Sequence, residues 1–307
     1  LVTPVVQNSS RDAAVPEYLF AANRHWPALI DAALMPAMFD DSTHELWHCQ
    51  TADGPFILKV CEPDRLMSSA TWQVMQSLFD FSLADELGST QQVRHLINQH
   101  GLLAIPDVID AAAPSGEAPG FILSRFADGE SLNAEILSMS MVEDFARHIA
   151  RLHQQAKADW GLLTVADKSA QQWPEQLIKT FLRFSSQLKI GEPWLYRVMS
   201  DIEQITPSWF CPVMLDNRWD QYLHSSGRLT TLVDIDAFVM APPELELVLL
   251  EYQLSEAQAA CFAQVYQQYQ PMPELSAVRS SYRLLLFLMN ALGETDLDKW
   301  MRSATKW

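Results

Sequence analysis

The chain has 307 residues, of which 49% are hydrophobic and 10% aromatic; that is ample apolar material and more length than one core usually organises, so two lobes are expected. With 38 acidic against 21 basic residues, its formal net charge of -17 repels nucleic acid and anionic membrane and attracts cations. No long Gly, Ser or Pro tract and no internal repeat is present, which excludes an extensively disordered chain and a repeat array.

Residues 1–16 (LVTPVVQNSSRDAAVP) read as a polar, loosely ordered lead, lacking the basic start and continuous apolar run of a secretory signal. In the loop at 40–44 (DDSTH), Ser42 and Thr43 can cap a phosphate, whereas Asp40 and Asp41 would repel one. Residues 45–49 (ELWHC) and 55–61 (PFILKVC) flank a TADG turn and predict a β-hairpin. Lys59 is the lone charge in the second strand, and an ammonium buried without a partner costs on the order of several kcal/mol, so it needs an anion. Residues 66–99 are largely helical in pattern, with Val93, Leu96 and Ile97 as an inner face and Glu86 among the carboxylates.

IPDVID (105–110) and FILS (121–124) read as strands, the second followed by RFADG. Residues 132–154 predict a helix ending in HIARLHQ, whose His148 and His153 sit among apolar neighbours and read as structural. Within 160–205, WPEQLIKTFLRF and EPWLYRVM predict amphipathic helices.

The segment CPVMLDNRWDQYLHSSGRLTTLVDID (211–236) carries the most chemistry. Val213, Met214 and Leu215 form an apolar run; residues 216–221 interrupt it with polar groups before Tyr222 and Leu223 resume it. After the turn Ser225-Ser226-Gly227, an apolar strand over 229–233 delivers Asp234, with Asp236 close behind. The pattern is a buried strand, a working loop and a hairpin, with Asp216 and Asp234 at the ends of paired strands, suited to holding metal and phosphate. Beyond it, PPELELVLLEYQL is a Pro-rich turn leading into a helix, and residues 256–270 and 282–292 predict further helices. The run LLLFLM is too short to cross a bilayer.

In this order the features resemble the aminoglycoside phosphotransferase and choline kinase branch of the protein-kinase-like fold, whose pattern is H-G-D-x-x-x-x-N, a hairpin, then a metal-binding Asp. The resemblance implies an α+β, bilobal protein-kinase-like fold, with a small N-terminal antiparallel-sheet lobe over residues 1–124 and a larger, mainly helical C-terminal lobe over 125–307. It implies ATP (or GTP) and Mg2+ as cofactors and transfer of the γ-phosphate to a hydroxyl of a small molecule. Matched residue by residue, Asp216 falls on the catalytic base, Gln221 on the Asn that ligates magnesium, and Asp234 on the DFG-type Asp that also ligates it. Lys59 falls on the strand Lys that holds the α and β phosphates; for the helix Glu that pairs with that Lys, Glu86 is the nearest carboxylate, while Gln91 and Gln92 stand nearer the family's spacing. Ser124 and Phe126 fall at the hinge, whose backbone faces adenine, and Glu246 falls where an Asp braces the catalytic loop. The departures are Met214 and Leu215 in place of His and Gly, Gln221 in place of Asn, and the lack of a G-x-G-x-x-G loop.

The acidic balance suits a small acceptor that bears positive charge, and no nucleic-acid or membrane partner is expected. The segment between Asp234 and Glu246 is too short for an activation loop with a peptide-docking platform. Cys49, Cys61, Cys211 and Cys261 show no C-x-x-C pairing, so neither a disulfide framework nor a zinc site is indicated, and the reducing cytoplasm is the expected compartment. The departures keep a second function open, a kinase-fold protein that has lost transfer and acts by binding a ligand or partner.

Overall fold

A computed structural model describes residues 14–37, 42–185, 192–202 and 205–307. The chain begins α1 (Ala14–Ala22), β1 (Leu29–Leu34), β2 (His44–Thr51) and β3 (Gly54–Cys61). The helices α2 (Pro63–Ser68), α3 (Ala70–Phe79), α4 (Leu83–Glu86) and α5 (Thr90–His100) follow, then β4 (Val108–Ala112) and β5 (Phe121–Arg125). Next come β6 (Glu130–Ser131), α6 (Met139–His153), β7 (Asp159–Leu162), β8 (Ala166–Ser169), α7 (Gln172–Ser185) and α8 (Glu192–Ile202). The remainder is β9 (Cys211–Met214), β10 (Tyr222–Ser225), β11 (Arg228–Leu232), β12 (Phe238–Ala241), α9 (Pro243–Gln253), α10 (Glu256–Tyr266), α11 (Arg279–Leu288) and α12 (Leu297–Met301).

Two compact units result. The first, Leu1–Met67, Ala84–Gln91 and Pro106–Ala127, holds an antiparallel sheet in the order β1-β2-β3-β5-β4. Its predicted hairpin closes at Thr51 and Gly54, where φ of 102° is open to glycine and strained for other residues. The Thr51 hydroxyl accepts from the Asp53 N–H at 3.1 Å and donates to the Gly54 carbonyl at 2.8 Å, so the turn is tied from within. Strand alternation turns Phe56, Leu58 and Val60 into a core shared with Trp47, Leu123 and the α1 residues Leu19 and Phe20. Lys59 projects from the other face of β3 and is half-buried. Cys49 stands opposite Phe56 and Cys61 opposite His44, on separate rungs, and all four cysteines are free.

The second unit, Ser68–Leu83, Gln92–Ile105 and Asp128–Trp307, is mainly helical and carries two small sheets, β8-β7-β12-β9 and β11-β10-β6. The stretch read as one helix over 66–99 is broken: α3 ends at Asp80, whose φ of 59° is left-handed, and α4 and a 3-10 turn over Leu87–Ser89 intervene before α5. Consequently α3 and most of α5 cluster with the helical unit and the connecting residues 84–91 with the sheet unit. The helical core is aromatic, with Trp173 meeting Trp160 edge-on at 4.9 Å and flanked by Phe79, Phe210 and Tyr282. His148 of α6 is buried, and its Nδ1 accepts the N–H groups of Leu102 and Leu103 at 3.0 and 3.2 Å. Both histidines read as structural, His148 and His153, are fully buried. Among the described residues no helix is long and apolar enough to cross a membrane.

Candidate active site

The working loop starts where a wholly buried strand stops. Cys211, Val213 and Met214 of β9 are shielded from solvent, and β9 is paired to β12 from Cys211↔Ala241 to Met214↔Phe238. One more bond, from the Leu215 N–H to the Ala237 carbonyl at 3.2 Å, holds the chain before it leaves the sheet at Asp216. The loop closes through a 3-10 turn over Trp219–Gln221 and runs into the β10–β11 hairpin. The hairpin returns alongside it: the Val233 N–H donates to the Gln221 carbonyl at 2.9 Å, which sets Asp234 next to the loop carrying Asp216.

Within this frame the loop side chains gather around Arg218. Gln221 Nε2 donates to Asp216 Oδ2 at 3.0 Å, and Arg218 Nη1 lies 3.3 Å from Asp216 Oδ1. Arg218 also grips Asp220, its Nε 3.3 Å from Oδ1 and its Nη2 3.5 Å from Oδ2. Burial alone would lower the guanidinium pKa, but the charges of Asp216, Asp220 and Asp234 outweigh it and hold Arg218 more firmly protonated than usual. Asp234 is half-buried and its Oδ1 accepts the Asp236 N–H at 3.1 Å, an Asx turn that fixes the carboxylate at the hairpin exit. Gln221 is 3% exposed, and its Oε1 is a buried acceptor with no hydrogen-bond partner among the described residues. Such an oxygen is costly to leave bare, and its chemistry suits a hard cation.

Behind the loop lies a buried polar brace. Glu246 of α9 is 1% exposed; its Oε1 accepts from Asn217 Nδ2 at 2.8 Å and from the Met214 N–H at 3.3 Å. Its Oε2 is 2.8 Å from His153 Nε2, while His153 Nδ1 is 2.9 Å from the Tyr266 hydroxyl. Burial raises the Tyr266 pKa, so the phenol keeps its proton, and the carboxylate oxygen Oε2 accepts from His153 Nε2–H. Tyr222, likewise kept protonated by burial, donates to Asn217 Oδ1 at 3.0 Å, and Gln253 Nε2 donates to the Asn217 carbonyl at 2.7 Å. Asn217 is therefore held at both its amide and its backbone.

Lys59 sits in mid-strand, paired with Leu46 on one side and Ile122 on the other. Glu86 ends the short α4; burial raises its pKa and a hydrogen bond to Ser89 offsets part of that rise. Ser124 is paired in β5 with Ile57 and Val108. The Phe126 N–H is committed to the Pro55 carbonyl at 3.1 Å, so the backbone contact expected of it falls to its carbonyl. Asp40 and Asp41 of the expected phosphate-covering loop lie outside the described residues.

Solved structures decide the fold. Macrolide 2'-phosphotransferase MphH from Brachybacterium faecium matches with a TM-score of 0.60 and 13% identity over 96% of this chain and 99% of that one. A thermostable mutant of aminoglycoside phosphotransferase APH(4)-Ia, in ternary complex with ADP and hygromycin B, matches with a TM-score of 0.62 and 14% identity over 95% and 99%. The chain has the aminoglycoside phosphotransferase fold. No family model matches it, and neither does any curated protein. Although position 214 carries an apolar side chain, the loop is braced from behind, because Glu246 receives both the Asn217 amide and the Met214 backbone N–H. Among the described residues no group of three or more His, Cys, Asp or Glu is arranged to hold a metal.

Proposed function

We propose that this protein is a phosphotransferase that moves the γ-phosphate of ATP or GTP to a hydroxyl of a small, positively charged molecule. The observation that carries the proposal is Gln221, whose amide nitrogen is spent on Asp216 while its buried oxygen has no hydrogen-bond partner among the described residues. That is the orientation of a side chain that ties a base to a metal. Solved structures of the same fold include one with ADP and hygromycin B and one with AMP-PNP and hygromycin B, which supports a nucleotide and a small acceptor.

In this mechanism Asp234 and Gln221 Oε1 hold magnesium, which when bound neutralises charge on the transferring phosphates. Asp216 accepts the proton of the acceptor hydroxyl as its oxygen bonds to the γ-phosphorus, and the bond from that phosphorus to the bridging oxygen of ADP breaks. Lys59 holds the α and β phosphates, and the backbone at Ser124 and Phe126 meets the base. Rate enhancement comes mainly from positioning and charge neutralisation. The net charge of -17 favours a cationic acceptor, and the free thiols fit a reducing cytoplasm.

Replacing Asp216 by Asn tests the mechanism through release of ADP from magnesium-ATP, with water in place of the acceptor hydroxyl giving up its proton to Asp216 and taking the phosphoryl group. Loss of a general base should slow turnover by about 100- to 10,000-fold while magnesium-ADP still binds; unchanged turnover removes Asp216 from catalysis. A second reading, a ligand-binding protein of the same fold without transfer, draws support from the engagement of both Asp216 oxygens inside the protein. Magnesium-ADP binding with no turnover in the unaltered chain would single it out.

A further inference from the structure

Asp216 is held at both ends of its carboxylate, and by different means. Oδ2 takes a neutral amide donor from Gln221, whose backbone is fixed by the 3-10 turn and by the bond to Val233. Oδ1 faces the guanidinium of Arg218, which is itself fixed from the far side by Asp220 through Nε and Nη2. Asp220, Arg218 and Asp216 thus form a line of alternating charge within five residues of chain. A guanidinium is planar and its donors are splayed in a fixed fork, so anchoring one edge on Asp220 sets the direction from which the remaining Nη1 meets Asp216.

The charge arrangement needs this cation. Three carboxylates, Asp216, Asp220 and Asp234, act on one guanidinium, and Arg218 is only about a third exposed. Its two neighbours in the turn are otherwise occupied: Asn217 belongs to the Glu246 brace, and Trp219 packs edge-on against Phe145 at 5.1 Å. No sequence pattern assigns Arg218 a task; its place becomes visible only when Asp216 and Asp220 are seen on opposite edges of the same side chain.

The geometry points to Arg218 as a positioning residue for the catalytic carboxylate, clamped by Asp220 so that Asp216 presents one orientation to the acceptor hydroxyl. This rests on the phosphotransferase reading above. The guanidinium acts through Asp216, whereas a structural role would act through the fold, and the two separate in a mutant cycle.

The experiment measures ADP release from magnesium-ATP, and in parallel magnesium-ADP affinity, for Arg218→Met, Arg218→Lys, Asp220→Asn, Asp216→Ala and the double variant Asp216→Ala/Arg218→Met. A misplaced catalytic group costs about 100-fold, so Arg218→Met should lower turnover by about that factor with magnesium-ADP affinity unchanged. Arg218→Lys keeps the charge without the fork and should recover part of the loss; Asp220→Asn, which loosens the anchor, should give an intermediate loss. In the Asp216→Ala background the Arg218→Met change should cost nothing further, because the group it positions is gone. Equal losses in both backgrounds, or unchanged turnover in both Arg218 variants, overturn the positioning role and leave the phosphotransferase reading standing. If the unaltered chain binds magnesium-ADP and turns nothing over, or does not bind it, the phosphotransferase reading fails and takes this role with it.

Discussion

Glu246 is a single buried carboxylate on which three separate segments depend, through Met214 at the end of β9, Asn217 in the working loop and His153 at the end of α6. Glu246→Ala strands all three donors at once, and the expected cost is about 3–5 kcal/mol in chemical unfolding, on the scale of about 1–3 kcal/mol for each buried donor left unsatisfied. His148 is buried without such an acid, and burial and the nearby His153 lower its pKa from 6.5 to about 3. The unfolded chain therefore takes up a proton at this residue that the folded chain refuses, so stability is complete above 6.5 and falls with pH toward 3, by about 1.4 kcal/mol per pH unit. His148→Leu should flatten the acid limb of unfolding midpoints measured against pH; an unchanged slope would show that other groups set it. Beside it, a Cβ on Gly101 would lie 2.5 Å from His148 Cε1 and 2.9 Å from the Ile97 carbonyl, and Gly101→Ala should cost about 1–3 kcal/mol in the same assay. At this scale the sequence reveals residue types better than partners. Asp216 and Asp234 stand out as carboxylates at the ends of apolar runs and Glu246 only through the family resemblance, whereas Asn217 and Arg218 look like ordinary loop polar groups until the fold brings Glu246 and Asp220 to them.

Among the elements, the hairpin that delivers Asp234 is held by more than its own ladder. Arg228, the first residue of β11, donates through Nε to Asp144 Oδ2 of α6 at 2.7 Å, and the Leu229 N–H reaches the same oxygen at 3.2 Å. At its other end Leu232 donates to the Ala104 carbonyl at 2.9 Å. Asp144→Ala should leave the fold intact and speed amide exchange over β10 and β11 relative to β9 and β12; uniform exchange changes would show that the anchor is dispensable. The hairpins over 45–61 and 222–232 were legible because a turn signal sits between alternating strands. The short strands β6, β7 and β8 were not, since two to four residues leave no period to read, and Gly and polar residues dominate their flanks. The helical pattern over 66–99 was legible in type and not in continuity: nothing in its periodicity marks the left-handed turn at Asp80.

For the whole molecule, the order of features along the chain carried more weight than any motif. The fold expected from that order is the one found, although identities to the solved structures are only 13–16%. That gap is physically reasonable: a buried β9, a braced loop and a carboxylate after a hairpin can be built with Met for His and Gln for Asn as long as the brace is supplied from elsewhere. The proposed magnesium-nucleotide site on Asp234 and Gln221 is tested most directly by calorimetric titration of ADP with and without magnesium. The unaltered chain should bind ADP only when magnesium is present, and Asp234→Ala should abolish that dependence. ADP binding of equal strength with and without the metal, or unaffected by Asp234→Ala, would contradict it.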